Sequence, residues 1–400
     1  MGAIGGIVDF CNSNIEFSAF NAIRRAEVLR GRGRSVAYLD SGIGMVYNSD
    51  GIFESEQPII SERRGYKLSL VIDSPFLDAE AVLEAYRAYG VEFVGMLDAP
   101  FALALYDGER RMLILARDKL GKRPLFYSLE PRKVFFSSEP KGVLATKKCA
   151  IRVNSTLLSA HLTSPVGIYG AGDIYSDLSE LRFGECLLFT ELGISKFFYR
   201  TSAQKKISAR TTYKLKDKSA VEPTFNVDES SLFSALDDAL VAFDMPQFDV
   251  HMPSLCRIFL NAGREERKIF HFKDYTKRQS IKYSYEREDR FSAFYGRIGV
   301  GVMARADRDD ASFECEKSFM LNALTDEFFS IERNEMLFLR QIFGDAKLNY
   351  LLKVFDRSQK KNEDTELLVR TLGMIYQAVK WSRLRNIELL PKEKTFSLFN

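Results

Sequence analysis

The side chains best able to act as nucleophiles or metal ligands are the five cysteines and the three histidines. A thiolate can attack a carbonyl group or bind zinc, and a neutral imidazole can bind a metal. The cysteines form no Cys-x-x-Cys pair, and the histidines lie far apart without a carboxylate at metal-ligand spacing. The sequence therefore predicts reduced, mostly buried thiols, no disulfide framework and no metal site. These residues are Cys11, Cys149, Cys186, Cys256, Cys315, His161, His251 and His271.

Residues 264–290 mix Arg and Lys with aromatic residues, a combination that can bind single-stranded nucleic acid by base stacking. Acidic residues are interspersed along the same stretch, and the whole chain carries a formal net charge of only +3. We therefore expect a mixed-charge surface over a strand and a helix, and no nucleic-acid partner. The aromatic residues concerned are Phe270, Phe272, Tyr275, Tyr283 and Tyr285.

Length and composition limit the classes of protein that need to be considered. The 400 residues are enough to bury two hydrophobic cores, so two domains are expected. Hydrophobic residues make up 46% and charged residues 28%, as in ordinary globular proteins. No apolar run is long enough to cross a bilayer, and the N-terminus lacks the basic and apolar regions of a signal peptide. The sequence thus predicts a cytoplasmic protein with no membrane partner.

Short apolar or alternating runs, separated by polar turns, dominate the first half and are typical of strands in an antiparallel sheet. Asp107-Gly108 joins two of these runs and predicts a hairpin, because Gly tolerates positive φ. Residues 78–90 carry apolar residues at helical spacing, with Asp78 suited to the N-cap and Gly90 to the C-terminal stop. Together these elements predict a layered α+β domain. The strand runs are residues 4–10, 68–73, 101–107, 112–118 and 133–139.

The second half of the chain has a different pattern. Residues 201–228 are polar, basic and poor in large apolar residues, which indicates a linker or a long surface loop. Residues 230–244 and the region 315–384 have apolar residues at helical spacing, and the sole tryptophan, Trp381, is expected to anchor the last helix. The predicted organisation is a first domain at 1–200, a basic linker at 201–228 and a mostly helical domain at 229–400.

Several segments of the first half together resemble the asparagine synthetase family, and ARDKLGKRPLFY (116–127) is the most specific match. In that family an N-terminal class II glutamine amidotransferase domain of the Ntn-hydrolase fold supplies ammonia to a C-terminal ATP-dependent synthetase domain. The resemblance implies an Ntn-hydrolase-like layered domain followed by a mostly helical α/β synthetase-like domain of the PP-loop type. The segments are MGAIGGIVDF (1–10), the helix 78–90, ALYDGERRMLILARDKLGKRPLFY (104–127), VFFSSEPKGVLA (134–145) and GDIYSDLSELRFGECLLF (172–189).

The resemblance also implies where a glutaminase site should lie, and the family's residues are missing there. The family attacks the glutamine amide with a Cys directly after the first Met, whereas this chain has Gly2. The family's carboxylate-binding Arg corresponds to Ser49, and its Asn-Gly-Glu oxyanion segment to Asp73-Ser74-Pro75. Pro lacks a backbone donor, and an Asp would repel a developing oxyanion. Asp78 corresponds to the family's ligand for the glutamine amine, but it is better explained as an N-cap. No catalytic residue is therefore expected.

The family's ATP loop is altered as well. In the synthetase domain an apolar strand leads into a Ser-Gly-Gly-x-Asp-Ser loop whose backbone N–H groups hold pyrophosphate. CRIFLNAGREE (256–266) occupies a comparable place, with Asn261 and Gly263 as the nucleotide-binding candidates. Glu265 and Glu266 replace the Asp-Ser pair, and their charge would weaken phosphate binding unless Mg²⁺ or Arg264 intervened. A degenerate ATP site is therefore predicted here, and ATP binding elsewhere in the chain is an open alternative.

Three functional hypotheses follow from these residues. The leading one is a pseudoenzyme, a non-catalytic homologue that binds, scaffolds or regulates a protein partner or a second copy of itself, with a pocket that could still take a small molecule. The first alternative is an ATP- and Mg²⁺-dependent amide ligase without glutaminase activity, similar to the β-lactam synthetases. The second alternative is a glutamine-hydrolysing asparagine synthetase. The leading hypothesis requires no cofactor, whereas both alternatives require ATP and Mg²⁺.

Overall fold

The computed structural model of the chain describes residues 2–11, 14–31, 33–49, 56–74, 76–147, 150–163, 173–200, 229–246, 310–346, 348–350, 353, 365–385 and 387–390. These residues divide into two compact units. The first unit holds the described residues within 1–148 and 177–220, and the second holds those within 149–176, 221–263 and 304–400. The expected linker, residues 201–228, lies outside the described residues, so the domain limits at 200 and 229 stay predictions.

The helices and strands are bounded as follows. The strands are β1 (Ala3–Asp9), β2 (Ser35–Asp40), β3 (Ile43–Asn48), β4 (Ile59–Arg63), β5 (Tyr66–Asp73), β6 (Ala102–Asp107), β7 (Met112–Arg117), β8 (Phe126–Glu130), β9 (Lys133–Ser137), β10 (Ile151–Asn154), β11 (Ser179–Glu180), β12 (Glu185–Thr190), β13 (Gly193–Phe198) and β14 (Ile387–Leu390). The α-helices are α1 (Phe17–Ala26), α2 (Ala79–Tyr89), α3 (Pro140–Leu144), α4 (Ser155–Thr163), α5 (Glu229–Phe243), α6 (Asp310–Phe329), α7 (Arg333–Phe343) and α8 (Thr365–Leu384). Two 3₁₀ segments, Glu27–Leu29 and Gly90–Met96, follow α1 and α2.

Two six-stranded antiparallel sheets form the first unit, as the alternating apolar runs predict. The first sheet has the order β11-β8-β9-β1-β3-β2, and the second has the order β13-β12-β7-β6-β5-β4. One hydrophobic cluster contains side chains of both sheets, including Ile4 and Phe136 from the first and Ala104 and Leu115 from the second. The sheets therefore pack face to face, which is the arrangement expected when each sheet has an apolar face to bury.

Helices cover the outer faces of these two sheets. On the second sheet, Val82, Leu83 and Tyr86 of α2 pack in a cluster with Leu70 and Leu103. Helices α1 and α3 contact strands β1 and β9 of the first sheet. The result is a layered α+β unit in the order helix, sheet, sheet, helix, and the α+β prediction is confirmed for this half of the chain.

The hairpin predicted at Asp107-Gly108 is present, but for a different reason from the one expected. The positive φ lies on Arg111 (47°), and Gly108 does not have one. Gly108 is required by space, because a Cβ on it would lie 2.8 Å from Lys67 O, the same oxygen that accepts the Gly108 N–H. Asp107 closes the turn by accepting the N–H groups of Glu109 (2.9 Å) and Arg110 (3.0 Å).

The second unit includes helices α4 to α8 and a parallel pairing of β10 with β14. Trp381 of α8 is 1% exposed, and its Nε1 donates to Asp244 O at 3.0 Å. Its ring packs edge to face against Tyr175, with ring centroids 6.1 Å apart. The prediction that the sole tryptophan anchors the final helix is therefore confirmed. In the described part of the chain, every helix is too short or too polar to span a lipid bilayer.

Candidate functional site

The register of the second sheet places the family-matching segments side by side. Asp73, the last residue of β5, is opposite Ala102 of β6, and Ala102 is opposite Arg117 of β7. The loop that follows Arg117 contains the ARDKLGKRP motif, so this loop starts two strands away from Asp73. Asp73 is 1% exposed although it is an acid. A buried carboxylate requires partners, because leaving it unpaired in the interior would be costly.

Side chains of the ARDKLGKRP motif hydrogen-bond to backbone groups of the loop that the motif forms. The Asp118 carboxylate accepts the backbone N–H groups of Leu120 (3.0 Å), Lys122 (3.2 Å) and Arg123 (3.1 Å). Burial raises the pKa of Asp118, although these three N–H donors and Arg117 oppose the rise. Arg117 donates to Gly121 O at 2.7 Å, which closes the loop from the other side. The residues of the motif therefore fix the conformation of the loop, and this conformation places Arg123 near Asp73.

Two arginines surround Asp73 in the interior. Arg30 Nη2 donates to Asp73 Oδ2 at 2.9 Å, and Arg30 Nε donates to the backbone oxygen of Gly2 at 3.0 Å. Arg123 Nη1 lies 3.6 Å from Asp73 Oδ1. The ion network of Arg30, Asp73 and Arg123 thus joins the start of β1 to the end of β5. Sequence reasoning missed both arginines, although an acid at the end of an apolar strand, Asp73, was a signal that a cation lies nearby.

Gly2 is buried directly before β1, at the position where the resemblance to the asparagine synthetase family leads us to expect a nucleophile. The pairing of Ile4 with Tyr47 of β3 brings the Tyr47 ring over Gly2. A Cβ built on Gly2 would lie 2.8 Å from Tyr47 Cε2 and 3.0 Å from the Tyr47 hydroxyl oxygen. These distances are shorter than van der Waals contact. In this structure a side chain at position 2 would therefore require the buried Tyr47 ring to shift.

The other predicted site residues have the following places. Ser49 is buried and its backbone pairs with Gly33 and Arg34, so a short hydroxyl stands where the family's cationic clamp is expected. Ser74 Oγ accepts the N–H of Leu77 at 3.2 Å and thereby forms part of the turn before α2. Asp78 accepts the N–H of Ala81 at 3.4 Å, as an N-cap does, and Gly90 ends the helix with a φ of 58°. Pro75, Asn261 and Gly263 lie outside the described residues.

A second buried polar cluster lies next to β1. Glu27 of the first 3₁₀ segment has 0% exposure and its Oε1 is hydrogen-bonded to Ser137 Oγ and to the Ser138 N–H (2.7 Å). Ser138 also joins this cluster to β1, because its Oγ accepts the Ile4 N–H at 2.9 Å. Burial raises the pKa of Glu27 to about 8, with a smaller upward contribution from Glu139. Sequence reasoning did not identify this cluster.

The described thiols do not form part of either cluster. Cys186 is buried, and burial raises the pKa of its thiol to about 12, which makes it a poor nucleophile at neutral pH. Cys11 is exposed beyond the end of β1, and its Sγ accepts a long hydrogen bond from Arg132 at 3.6 Å. His161 is buried and bonded to Pro246 O at 2.9 Å.

Comparisons with known proteins place these features in a family context. Residues 73–200 match the model of the glutamine amidotransferase domain family. A 123-residue segment is 34% identical to the glutamine-hydrolysing asparagine synthetase 3 of Bacillus subtilis, and covers 30% of this chain and 20% of that protein. A 125-residue segment is 28% identical to a putative glutamine-hydrolysing asparagine synthetase 2 of Methanocaldococcus jannaschii, and covers 30% of this chain and 24% of that protein.

Among solved structures, a glutamine phosphoribosylpyrophosphate amidotransferase from Bacillus subtilis matches with a TM-score of 0.36 and 14% identity, over 50% of each chain.

The matches to the two asparagine synthetases span about a fifth to a quarter of the length of those proteins. The N-terminal region of this chain therefore contains a glutamine amidotransferase domain similar to that of the asparagine synthetases.

Proposed function

We propose that this amidotransferase domain does not hydrolyse glutamine and that the chain is a non-catalytic, asparagine synthetase-like protein that binds, scaffolds or regulates a protein partner. The observation that carries the proposal is the position of the Tyr47 ring, 2.8 Å from the place of a Cβ on Gly2. Covalent amide hydrolysis of this type needs a nucleophilic side chain at that residue. Here the residue has no side chain, and the space for one is filled.

The electrostatics around Gly2 support the same proposal. A tetrahedral intermediate needs hydrogen-bond donors aimed at its oxyanion. At the corresponding segment the chain has Asp73, an acceptor, and Arg30 uses its donors on Asp73 and on Gly2 O. Ser49 cannot supply the charge that holds a substrate carboxylate. Nucleophile, oxyanion site and carboxylate clamp have thus changed together, as expected of a domain of the Ntn-hydrolase type that is retained for its fold.

The proposal for the second unit is a reduced synthetase-like domain whose ATP site is degenerate. Its support is the family context and the helical spacing of its sequence, and its candidate loop at 256–266 lies outside the described residues. The amide ligase without glutaminase activity is the alternative that ATP and Mg²⁺ binding would favour. We propose that the non-catalytic form binds a partner protein or a second copy of the chain.

The first test is glutamine hydrolysis. We expect no ammonia release from glutamine by the wild-type protein and none by Gly2→Cys, because the thiol lacks both space and oxyanion donors. The variant Gly2→Cys/Tyr47→Ala/Ser49→Arg/Asp73→Asn, which restores the nucleophile, its space, the carboxylate clamp and the amide side chain, should show covalent labelling of the introduced thiol by a glutamine-derived diazoketone, measured by mass spectrometry. Circular dichroism spectra of all variants control for folding, and the Bacillus subtilis relative is the positive control. Ammonia release by the wild-type protein, or turnover by Gly2→Cys alone, would contradict the proposal.

Ligand-dependent stability is the second test. Since Ser49 replaces the carboxylate clamp, millimolar glutamine is expected to leave the melting temperature unchanged, and ATP with Mg²⁺ is expected to do the same if the ATP loop is degenerate. A ligand present at 100 times its Kd would stabilise the folded state by about 2.7 kcal/mol, which a thermal shift assay detects easily. A shift with ATP and Mg²⁺ would support the amide ligase, and pyrophosphate release with candidate acids would then identify its substrate.

A further inference from the structure

Glu27 has no role in the proposed function, yet it lies at the base of the segment that presents Arg30. The 3₁₀ segment Glu27–Leu29 ends at Arg30, and the N–H groups of Arg30 (3.1 Å) and Gly31 (3.0 Å) both bond to Glu27 O. The position of Arg30, and hence its bonds to Gly2 O and Asp73, therefore depends on how Glu27 is held.

The contacts of Ser137 Oγ with Glu139 O and with Glu27 Oε1 can both be hydrogen bonds only when Glu27 carries a proton. Ser137 Oγ lies 2.8 Å from Glu139 O and is also in hydrogen-bond contact with Glu27 Oε1. A hydroxyl group has one proton to donate, and a carbonyl oxygen can only accept. If Ser137 donates to Glu139 O, the contact with Glu27 needs a proton on the Glu27 carboxyl group. A neutral Glu27 lets both hydrogen bonds form at once.

The charges near Glu27 act in opposite directions, because Glu139 favours the neutral form and Arg30 the ionised form, while burial, the largest effect, favours the neutral form. From the segment before α3, Glu139 is a second buried acid, and Lys141 pairs with Glu139 at 2.8 Å. On Glu27's own side, Arg30 donates through Nη2 to Asp73 and through Nε to Gly2 O. Glu27 Oε2 makes no hydrogen bond to any described residue. An ionised Glu27 would therefore be a buried charge with one oxygen unsatisfied, which is strongly unfavourable.

We propose that the protonation state of Glu27 controls the hydrogen bonds that Arg30 makes to Asp73 and Gly2 O, and we call this residue the latch. Neutral Glu27 donates a hydrogen bond to Ser137 Oγ and so holds the end of β9 against the segment that fixes Arg30. When Glu27 releases its proton to solvent, its carboxylate is repelled by Glu139 and attracts Arg30, which weakens the bonds of Arg30 to Asp73 and Gly2 O. The bonds of Arg30 to Asp73 and Gly2 O are kept while Glu27 is protonated, and they weaken when Glu27 ionises.

The direction of the pH dependence follows from the raised pKa. The folded chain holds this proton up to about pH 8, whereas the unfolded chain releases it near its ordinary value of 4.5. Between these values the folded state binds more protons than the unfolded state, so its stability falls as the pH rises. The stabilisation is complete below about pH 4.5 and is lost by about pH 8, where the latch itself opens.

Infrared difference spectroscopy on the full-length protein tests the latch directly. The wild-type spectrum is expected to contain the carbonyl band of a protonated carboxylic acid at about pH 6, and this band should disappear around pH 8. The band should be absent in Glu27→Gln and present in Glu92→Gln, a matched control at an exposed glutamate. Absence of the band from the wild-type protein at about pH 6, or its persistence well above about pH 9, would overturn the proposal.

Hydrogen exchange of the Arg30 Nε proton, followed by ¹⁵N NMR, tests the coupling to the site. At about pH 9 exchange should be at least about tenfold faster in the wild-type protein than in Glu27→Gln, which cannot ionise, and equal in the two at about pH 6. Equal exchange at both pH values would refute the coupling even if Glu27 titrates as expected. Neither measurement uses glutamine, so the latch and the loss of glutaminase activity can fail independently.

Discussion

Replacing Arg30 by Met is expected to lower the free energy of unfolding of the first unit by about 3–5 kcal/mol. The Arg30 guanidinium donates to Asp73 at 2.9 Å, and Asp73 is fully enclosed. Removing Arg30 leaves the carboxylate with Arg123 at 3.6 Å, a distance too long for a direct hydrogen bond. The same change removes the donor to Gly2 O, so the start of β1 should loosen as well. Hydrogen exchange of peptides from β1 and β5, followed by mass spectrometry in increasing urea, measures the loss.

Two control variants separate the charge effect from a packing effect. Arg30→Met/Asp73→Leu/Arg123→Met removes all three charges of the network and should recover most of the lost stability, because a buried ion network can often be replaced by apolar residues of similar volume without loss. Arg182→Met changes an exposed arginine of the same unit and should alter stability by no more than about 0.5 kcal/mol. If Arg30→Met alone costs less than about 1 kcal/mol, the ion network does not hold β1 in place.

The second large effect concerns the second unit. Trp381→Ala is expected to destabilise this unit by about 3–5 kcal/mol, the usual cost of truncating a buried tryptophan. The indole packs against Tyr175 and donates to Asp244 O, which also accepts a hydrogen bond from the Tyr175 hydroxyl. Its loss would leave a cavity at the junction of α5 and α8. The helical circular dichroism signal during urea unfolding reports the change, because these helices supply much of that signal.

Trp381→Phe is the matched control for the tryptophan. It keeps a six-membered aromatic ring, removes the five-membered ring with its Nε1–H donor, and leaves Tyr175 to supply a hydrogen bond to Asp244 O. A loss of about 1–2 kcal/mol is therefore expected, from one hydrogen bond and the smaller buried ring. If Trp381→Ala and Trp381→Phe unfold at the same urea concentration, packing of the indole contributes little and the anchoring role assigned to Trp381 is wrong.

Local patterns predicted the elements of the first unit well. The alternating runs became strands, and the Asp78 and Gly90 signals mark the ends of α2 as observed. These features depend on residues within one or two turns of each other, so a single sequence contains the information. The hairpin at Asp107-Gly108 was located correctly, but its glycine is required by the nearby Lys67 backbone, a contact that only the paired strands create.

The site itself could be predicted only in part. The sequence shows that residue 2 is a glycine, whereas the position of the Tyr47 ring, 2.8 Å from the place of a Cβ on Gly2, depends on the register of β1 with β3. The partners of Asp73 come from two separate segments, at Arg30 and Arg123. No local periodicity connects such residues, because buried ion pairs are formed by the tertiary fold. The protonated state of Glu27 likewise follows from burial and from the contacts of Ser137.

The order of the segments along the chain has a consequence for synthesis and folding. Strands β11 to β13 complete the two sheets of the first unit, but they follow β10 and α4, which belong to the second unit. β10 in turn pairs with β14, near the last described residues. Because of this order, cutting the chain at one position would not separate the two units. During translation the edge of β7 that pairs with β12 stays unpaired until β12 has been synthesised. Unpaired strand edges can pair with other chains. The interleaved order makes folding of the first unit depend on residues that emerge from the ribosome after part of the second.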